Sequence, residues 1–67
     1  MAIGEEIRRA RRAMDLTQKD LATKVSETQG VKLSQREVSQ LEKGAGNPTL
    51  KKLEAIVKVL GKEWVLK

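Results

Sequence analysis

The chain has 67 residues, no cysteine, no histidine and a formal net charge of +5, with a sequence pI of about 9.9. That length suits one domain with a modest core, so residues 1–67 are expected to form a single unit that would gain from self-association. The composition excludes disulfide staples and thiolate metal sites, removes the commonest general base and metal ligand, and favours a polyanionic partner.

Ile7, Ala10 and Met14 recur at i, i+3 and i+7, with Ile3 one turn earlier, which predicts a first helix over residues 4–14. Glu5 and Glu6 lie in its first turn and Arg8, Arg9, Arg11 and Arg12 follow, an order that suits the helix dipole. Arg8 and Arg12 share a face, while Arg11 lies nearer the apolar stripe. A solvated basic face is the plain reading. Phosphate contact by one or two of these arginines, with Arg11 in an internal ion pair, is the sharper one. Asp15-Leu16-Thr17 is a short break. Thr17 is a good N-cap, with Asp20 in a capping-box role. A second helix is predicted over residues 18–26, burying Leu21, Ala22 and Val25. Gln18 falls in its first turn, where free backbone N–H groups and the positive dipole end favour a phosphate. Ser26 to Leu33 reads as a polar loop, with room for an extra turn of helix into Glu27.

Ser34 and Glu37 form an S-x-x-E capping box, and Gly44 sits where a left-handed C-terminal cap is wanted. Between them the pattern predicts a helix over residues 35–42, with Val38 and Leu41 on the core side. Gln35, Arg36, Ser39 and Gln40 are left outside. Gln can pair bidentately with adenine and Arg with guanine, so such a face suits base edges. A plain amphipathic helix with a solvated polar face fits the same pattern equally well. The stretch from Gly44 to Pro48 is turn-rich, and either Asn47 or Thr49 could cap the next helix. That last helix is predicted over residues 49–60. Its apolar stripe is Leu50, Leu53, Ile56, Val57 and Leu60, with Val59 beyond the edge. The stripe is wide for so small a domain, and the excess could serve a partner subunit. Gly61 stops the helix. Residues 62–67 favour a strand, with Trp64 and Leu66 on one side and Val65 on the other. That strand could pair with its copy in a second chain. A frayed tail and a short helix are the alternatives.

Ile7-x-x-x-Arg11, Leu16-Thr17-Gln18-x-x-Leu21-Ala22, Ser34-Gln35-x-x-Val38-Ser39-x-Leu41-Glu42-x-Gly44 and Pro48-Thr49-Leu50-x-x-Leu53 occur in that order. Together they resemble the phage repressor and Cro-like helix-turn-helix family of bacterial transcriptional regulators, over residues 4–61. The resemblance implies an all-α, four-helix, lambda-repressor-like domain. It implies base contacts from Gln35, Arg36 and Gln40, with the outward Ser39 expected beside them, and DNA backbone contacts from Gln18, Ser34, Lys43 and Asn47, with Lys19 expected beside Gln18. It also implies a partly buried Arg11–Glu42 pair. The C-terminal segment is similar to an antitoxin-like subgroup in which a strand pairs across the dimer. Val57, Leu60, Trp64, Val65 and Leu66 are the expected dimer interface. The family's turn between the second and third helices is short, and here the connection is longer by roughly six residues.

The expected function is a sequence-specific, dimeric, double-stranded DNA-binding repressor that needs no cofactor or metal. The alternative is an antitoxin-like interaction module whose main partner is a toxin or another protein. Enzymatic chemistry is not expected, because Glu5, Glu6 and Asp20 have no His, Cys or ligand cluster beside them. Ser34 and Ser39 lack a base of the usual kind. No apolar run approaches the roughly 20 residues of a spanning helix, and the first residues lack the apolar stretch of a secretory signal. The first helix carries no bulky aromatic for an interfacial anchor. A cytoplasmic protein is therefore expected.

Overall fold

Four helices succeed one another in the structure, a computed structural model that describes residues 3–61. They are α1 (Ile3–Ala13), α2 (Gln18–Gln29), α3 (Gln35–Glu42) and α4 (Leu50–Leu60). No strand occurs among the described residues. The strand expected over 62–67, with Trp64, Val65 and Leu66, lies outside them.

Short-range interactions set the helix ends. At the end of α1 the Leu16 N–H donates to the Arg11 carbonyl at 3.1 Å and the Asp15 N–H to the Arg12 carbonyl at 3.0 Å. These are the paired bonds of a Schellman cap. Asp15 takes φ 56° there, a left-handed conformation that Asp adopts more readily than most residues. Helix α2 starts on a reciprocal box. Thr17 Oγ1 accepts from the Asp20 N–H at 3.0 Å and Asp20 Oδ2 accepts from the Thr17 N–H at 3.1 Å.

Helix α2 runs to Gln29, three residues past the expected end at 26. The hydroxyls of Ser26 and Thr28 donate to the carbonyls of Ala22 and Lys24, at 2.9 and 2.7 Å. They are thus satisfied inside the helix instead of competing with it. Gly30 then ends the helix at φ 64°. Most of the expected loop is therefore extra helix plus a short extended link. That link is anchored, since Leu33 is buried and its N–H donates to Ser26 Oγ at 3.2 Å.

Ile7, Leu21, Val25, Val38 and Ile56 are fully enclosed at the centre of the core. Helix α2 packs on α3 and α4, and α1 packs on the same two helices. The ends of the α1 stripe, Ile3 and Met14, remain exposed. Thr49 caps α4 by accepting from the Lys52 N–H at 3.2 Å, so Asn47 is not the cap.

Helix α4 turns its stripe differently from the expectation. Its buried face is Ala55, Ile56 and Leu60, and Val59 packs against the core. Leu50 is 63% exposed. Leu60, expected at a dimer interface, is only 6% exposed and belongs to the chain's own core. Val59 and Leu50 lie on opposite sides of α4, and it is Val59 that packs against the core while Leu50 faces outward. Val57 is half-buried and keeps an outward surface.

Candidate nucleic-acid interface

Helix α3 is held at both ends by side chains from other helices. At its start, Ser34 Oγ accepts from the Glu37 N–H at 3.2 Å and Glu37 Oε1 accepts from the Ser34 N–H at 3.1 Å. The second Glu37 oxygen accepts from Lys52 Nζ on α4. The Lys52 hydrogen bond, followed by that from the Ser34 amide, holds the Glu37 carboxyl below the usual carboxylate range.

At the other end, the Gly44 N–H donates to the Leu41 carbonyl at 3.1 Å and the Ala45 N–H to the Gln40 carbonyl at 2.8 Å. Gly44 supplies the positive φ, 77°, that this cap requires. Glu42, the last residue of α3, is the centre of a charged cluster. Its carboxylate accepts from Arg11 Nε at 2.6 Å and Arg11 Nη2 at 3.0 Å, a bidentate fork. It also accepts from Gln18 Nε2 at 3.2 Å and Arg8 Nε at 3.5 Å. Arg11 spends its remaining arm on the Leu16 carbonyl at 2.8 Å.

Burial pushes the Glu42 carboxyl up. The Arg11 and Gln18 hydrogen bonds, the Arg11 charge and the Arg8 hydrogen bond outweigh it and hold the carboxyl below its ordinary range. Its hydrogen bond to Glu42 likewise raises the Arg11 pKa, against the effect of burial. Among the described residues, no buried side-chain nitrogen or oxygen lacks a partner.

This cluster ties the start of α2 to the end of α3, and an open hollow lies beside it. Gln18, Gln35, Arg36, Ser39, Gln40 and Lys43 line that hollow. Six of the sequence-expected contact residues are thereby brought onto one face. The hollow offers two cations and four groups able to donate and accept, without a carboxylate. Gln18 reaches it from a helix start whose first N–H groups have no intrahelical acceptor. One donor of the Gln18 side chain is bonded to Glu42 and the Asp20 N–H to Thr17, which leaves the Gln18 amide oxygen and the first backbone N–H groups of α2 for a ligand.

Lys19 and Ser34 are exposed beside this face and do not line it. Asn47 lies around a corner, in a smaller hollow shared with Leu33, Pro48 and Lys52. Gln40 borders both hollows, and a Cβ on Gly46 would lie 3.5 Å from its Oε1.

Three supporting residues were not singled out by sequence reasoning. Arg8 joins the Glu42 cluster, and its placement i−3 to Arg11 was a usable signal. Lys52 had none, because its partner is 15 residues away on another helix. Gly4 is buried where α1 crosses the end of α3. A Cβ there would lie 2.3 Å from the Leu41 carbonyl oxygen and 2.9 Å from that of Glu42. Only its cost to the helix hinted at a packing reason.

No described helix is long and apolar enough to cross a membrane, and no described group of three His, Cys, Asp or Glu residues could hold a metal ion. A comparison with curated proteins and one with solved structures each returned no significant match. The family model described as helix-turn-helix matches residues 7–66, nearly the whole chain. With its four helices and the α3 face in view, the chain belongs to the Cro/C1-type helix-turn-helix family of DNA-binding regulators.

Proposed function

We propose that the protein is a dimeric repressor that reads an inverted-repeat operator with α3 in the major groove of each half-site. The observation that carries this reading is the convergence of Gln35, Arg36, Ser39 and Gln40 with Gln18 and Lys43 on one carboxylate-free face. Gln35, Arg36, Ser39 and Gln40 read base edges, each good bidentate contact being worth about 1–3 kcal/mol of discrimination. Gln18, Lys19, Ser34, Lys43 and Asn47 hold the DNA backbone and supply register. The net charge of +5 adds a salt-dependent attraction that carries no sequence information. A two-fold pair of such domains would place its α3 helices about 34–36 Å apart, one turn of B-DNA. On α4, the exposed Leu50 and the half-buried Val57 offer apolar surface for self-association. Those same residues support a second reading, an antitoxin-like module that binds a protein partner as well as DNA.

Selection from fragmented genomic DNA with the purified protein at near-physiological salt, and sequencing of the retained fragments, tests the first reading. Enrichment of a short inverted repeat is expected. Retention of DNA with no enriched motif would refute base reading by α3. A protein that co-purifies stoichiometrically from the native host would favour the second reading.

A further inference from the structure

Arg8, Arg9 and Arg12 line an open hollow along α1 together with Glu5. At 3.6 residues per turn these positions fall on one flank of the helix. The buried side is held by Gly4, Ile7, Ala10 and Arg11. The flank meets the α3 face at one carboxylate. Glu42 accepts from Arg8 Nε at 3.5 Å and from Gln18 Nε2 at 3.2 Å, and Gln18 lines the α3 hollow. The arginine strip and the candidate reading face therefore share a border.

The three guanidinium groups are committed to different degrees. Arg8 leans on Glu42 while 42% of its side chain stays exposed. Arg9 Nη1 lies 4.0 Å from Glu6 Oε1. Arg12 is exposed and forms no ion pair among the described residues.

We propose that the α1 strip is a second backbone-binding surface. It grips phosphates of the same duplex beside the half-site that α3 reads, with Arg12 as its uncommitted charge. The proposal rests on the DNA-reading role of α3. Two features select this occupant. Arg12 is an exposed cation that none of the carboxylates beside Arg8 and Arg9 engages, which calls for an anion, and the planar fork of arginine matches phosphate oxygens. The strip also adjoins the α3 face, where Arg8 and Gln18 share the Glu42 carboxylate, so a duplex seated on α3 passes beside it.

The test is a salt titration of binding by the full chain. One duplex carries the motif recovered by selection, and a second of equal length is random. Arg12→Gln, Arg12→Lys and Lys58→Gln are compared with the unmodified protein. Lys58 is an exposed residue in the last turn of α4, outside both hollows, and its loss changes net charge equally. Arg12→Gln is expected to reduce the slope of log affinity against log salt by about 0.9. It should weaken both duplexes by the same factor and leave their ratio unchanged. Arg12→Lys should retain the slope, and so should Lys58→Gln. Equal slopes for Arg12→Gln and Lys58→Gln would overturn the proposal. The ratio between the two duplexes for the unmodified protein judges α3 separately, so failure of base reading and failure of the strip are distinct results.

Discussion

Replacing Glu42 with alanine removes the acceptor that Arg11, Gln18 and Arg8 share. The Arg11 side chain is only 11% exposed and that of Glu42 only 1%, so water cannot readily take the carboxylate's place. Arg11 would keep one protein acceptor, the Leu16 carbonyl at 2.8 Å. Leaving a buried charge without its partner costs about 3–5 kcal/mol. Small domains hold roughly 0.05–0.15 kcal/mol per residue, which for this chain is about 3–10 kcal/mol in all. The single substitution should therefore remove a large share of the stability. At about 4–8 °C per kcal/mol for a domain of this size, Tm should fall by roughly 12 °C or more. Thermal and urea unfolding monitored by far-UV circular dichroism would measure this. The double variant Arg11→Met with Glu42→Leu removes both charges and fills their space with apolar atoms. It should recover most of the loss, because a buried pair is often no better than a packed apolar one. A loss under about 1 kcal/mol for Glu42→Ala would put the pair in the class of surface ion pairs and refute the reasoning. So would a double variant whose loss is the sum of the two single losses.

Gly4→Ala should destabilise the protein by about 1–3 kcal/mol although alanine is the better helix former, because its Cβ would overlap two carbonyl oxygens at the end of α3. A raised urea midpoint for this variant would contradict the close approach. Gln40→Ala should relax specificity at one base pair in each half-site, whereas Lys43→Ala should weaken all sequences alike. Binding to single-base operator variants separates the two, and a uniform loss for Gln40→Ala would end its base-reading role. The carboxyls of Glu42, Glu37 and Asp20 are all held below their usual range, Asp20 chiefly by the Thr17 amide. A depressed folded-state pKa contributes stability that is full above the unfolded value and is lost as pH falls through the folded one. Stability should therefore hold from neutral pH down to about 4 and drop below it, which urea midpoints taken across that range would show. A midpoint that climbs on acidification below about 4 would oppose this assignment.

Features whose partners lie within one turn could be read from the residues without any fold in hand. The Thr17–Asp20 and Ser34–Glu37 boxes and the stop at Gly44 were legible because each is complete within three or four residues and needs no other helix. The polar face of α3 was legible for the same reason, since a helical period alone separates Gln35, Arg36, Ser39 and Gln40 from Val38 and Leu41. The Arg11–Glu42 pair came from family likeness, because no local rule joins residues 31 apart. How the helices meet is set by the packed fold. It gave Glu42 four donor contacts instead of one pair, tied Lys52 to Glu37, and pressed Gly4 against the carbonyls of Leu41 and Glu42. It also chose which flank of α4 is buried. The stripe from Leu50 to Leu60 is too wide for one small core, so packing on α1 and α2 kept Ile56 and Leu60 inside, drew Val59 against the core and left Leu50 exposed. Helical periodicity fixes which residues can share a face. Close packing against particular neighbours fixes which part of that face the core takes.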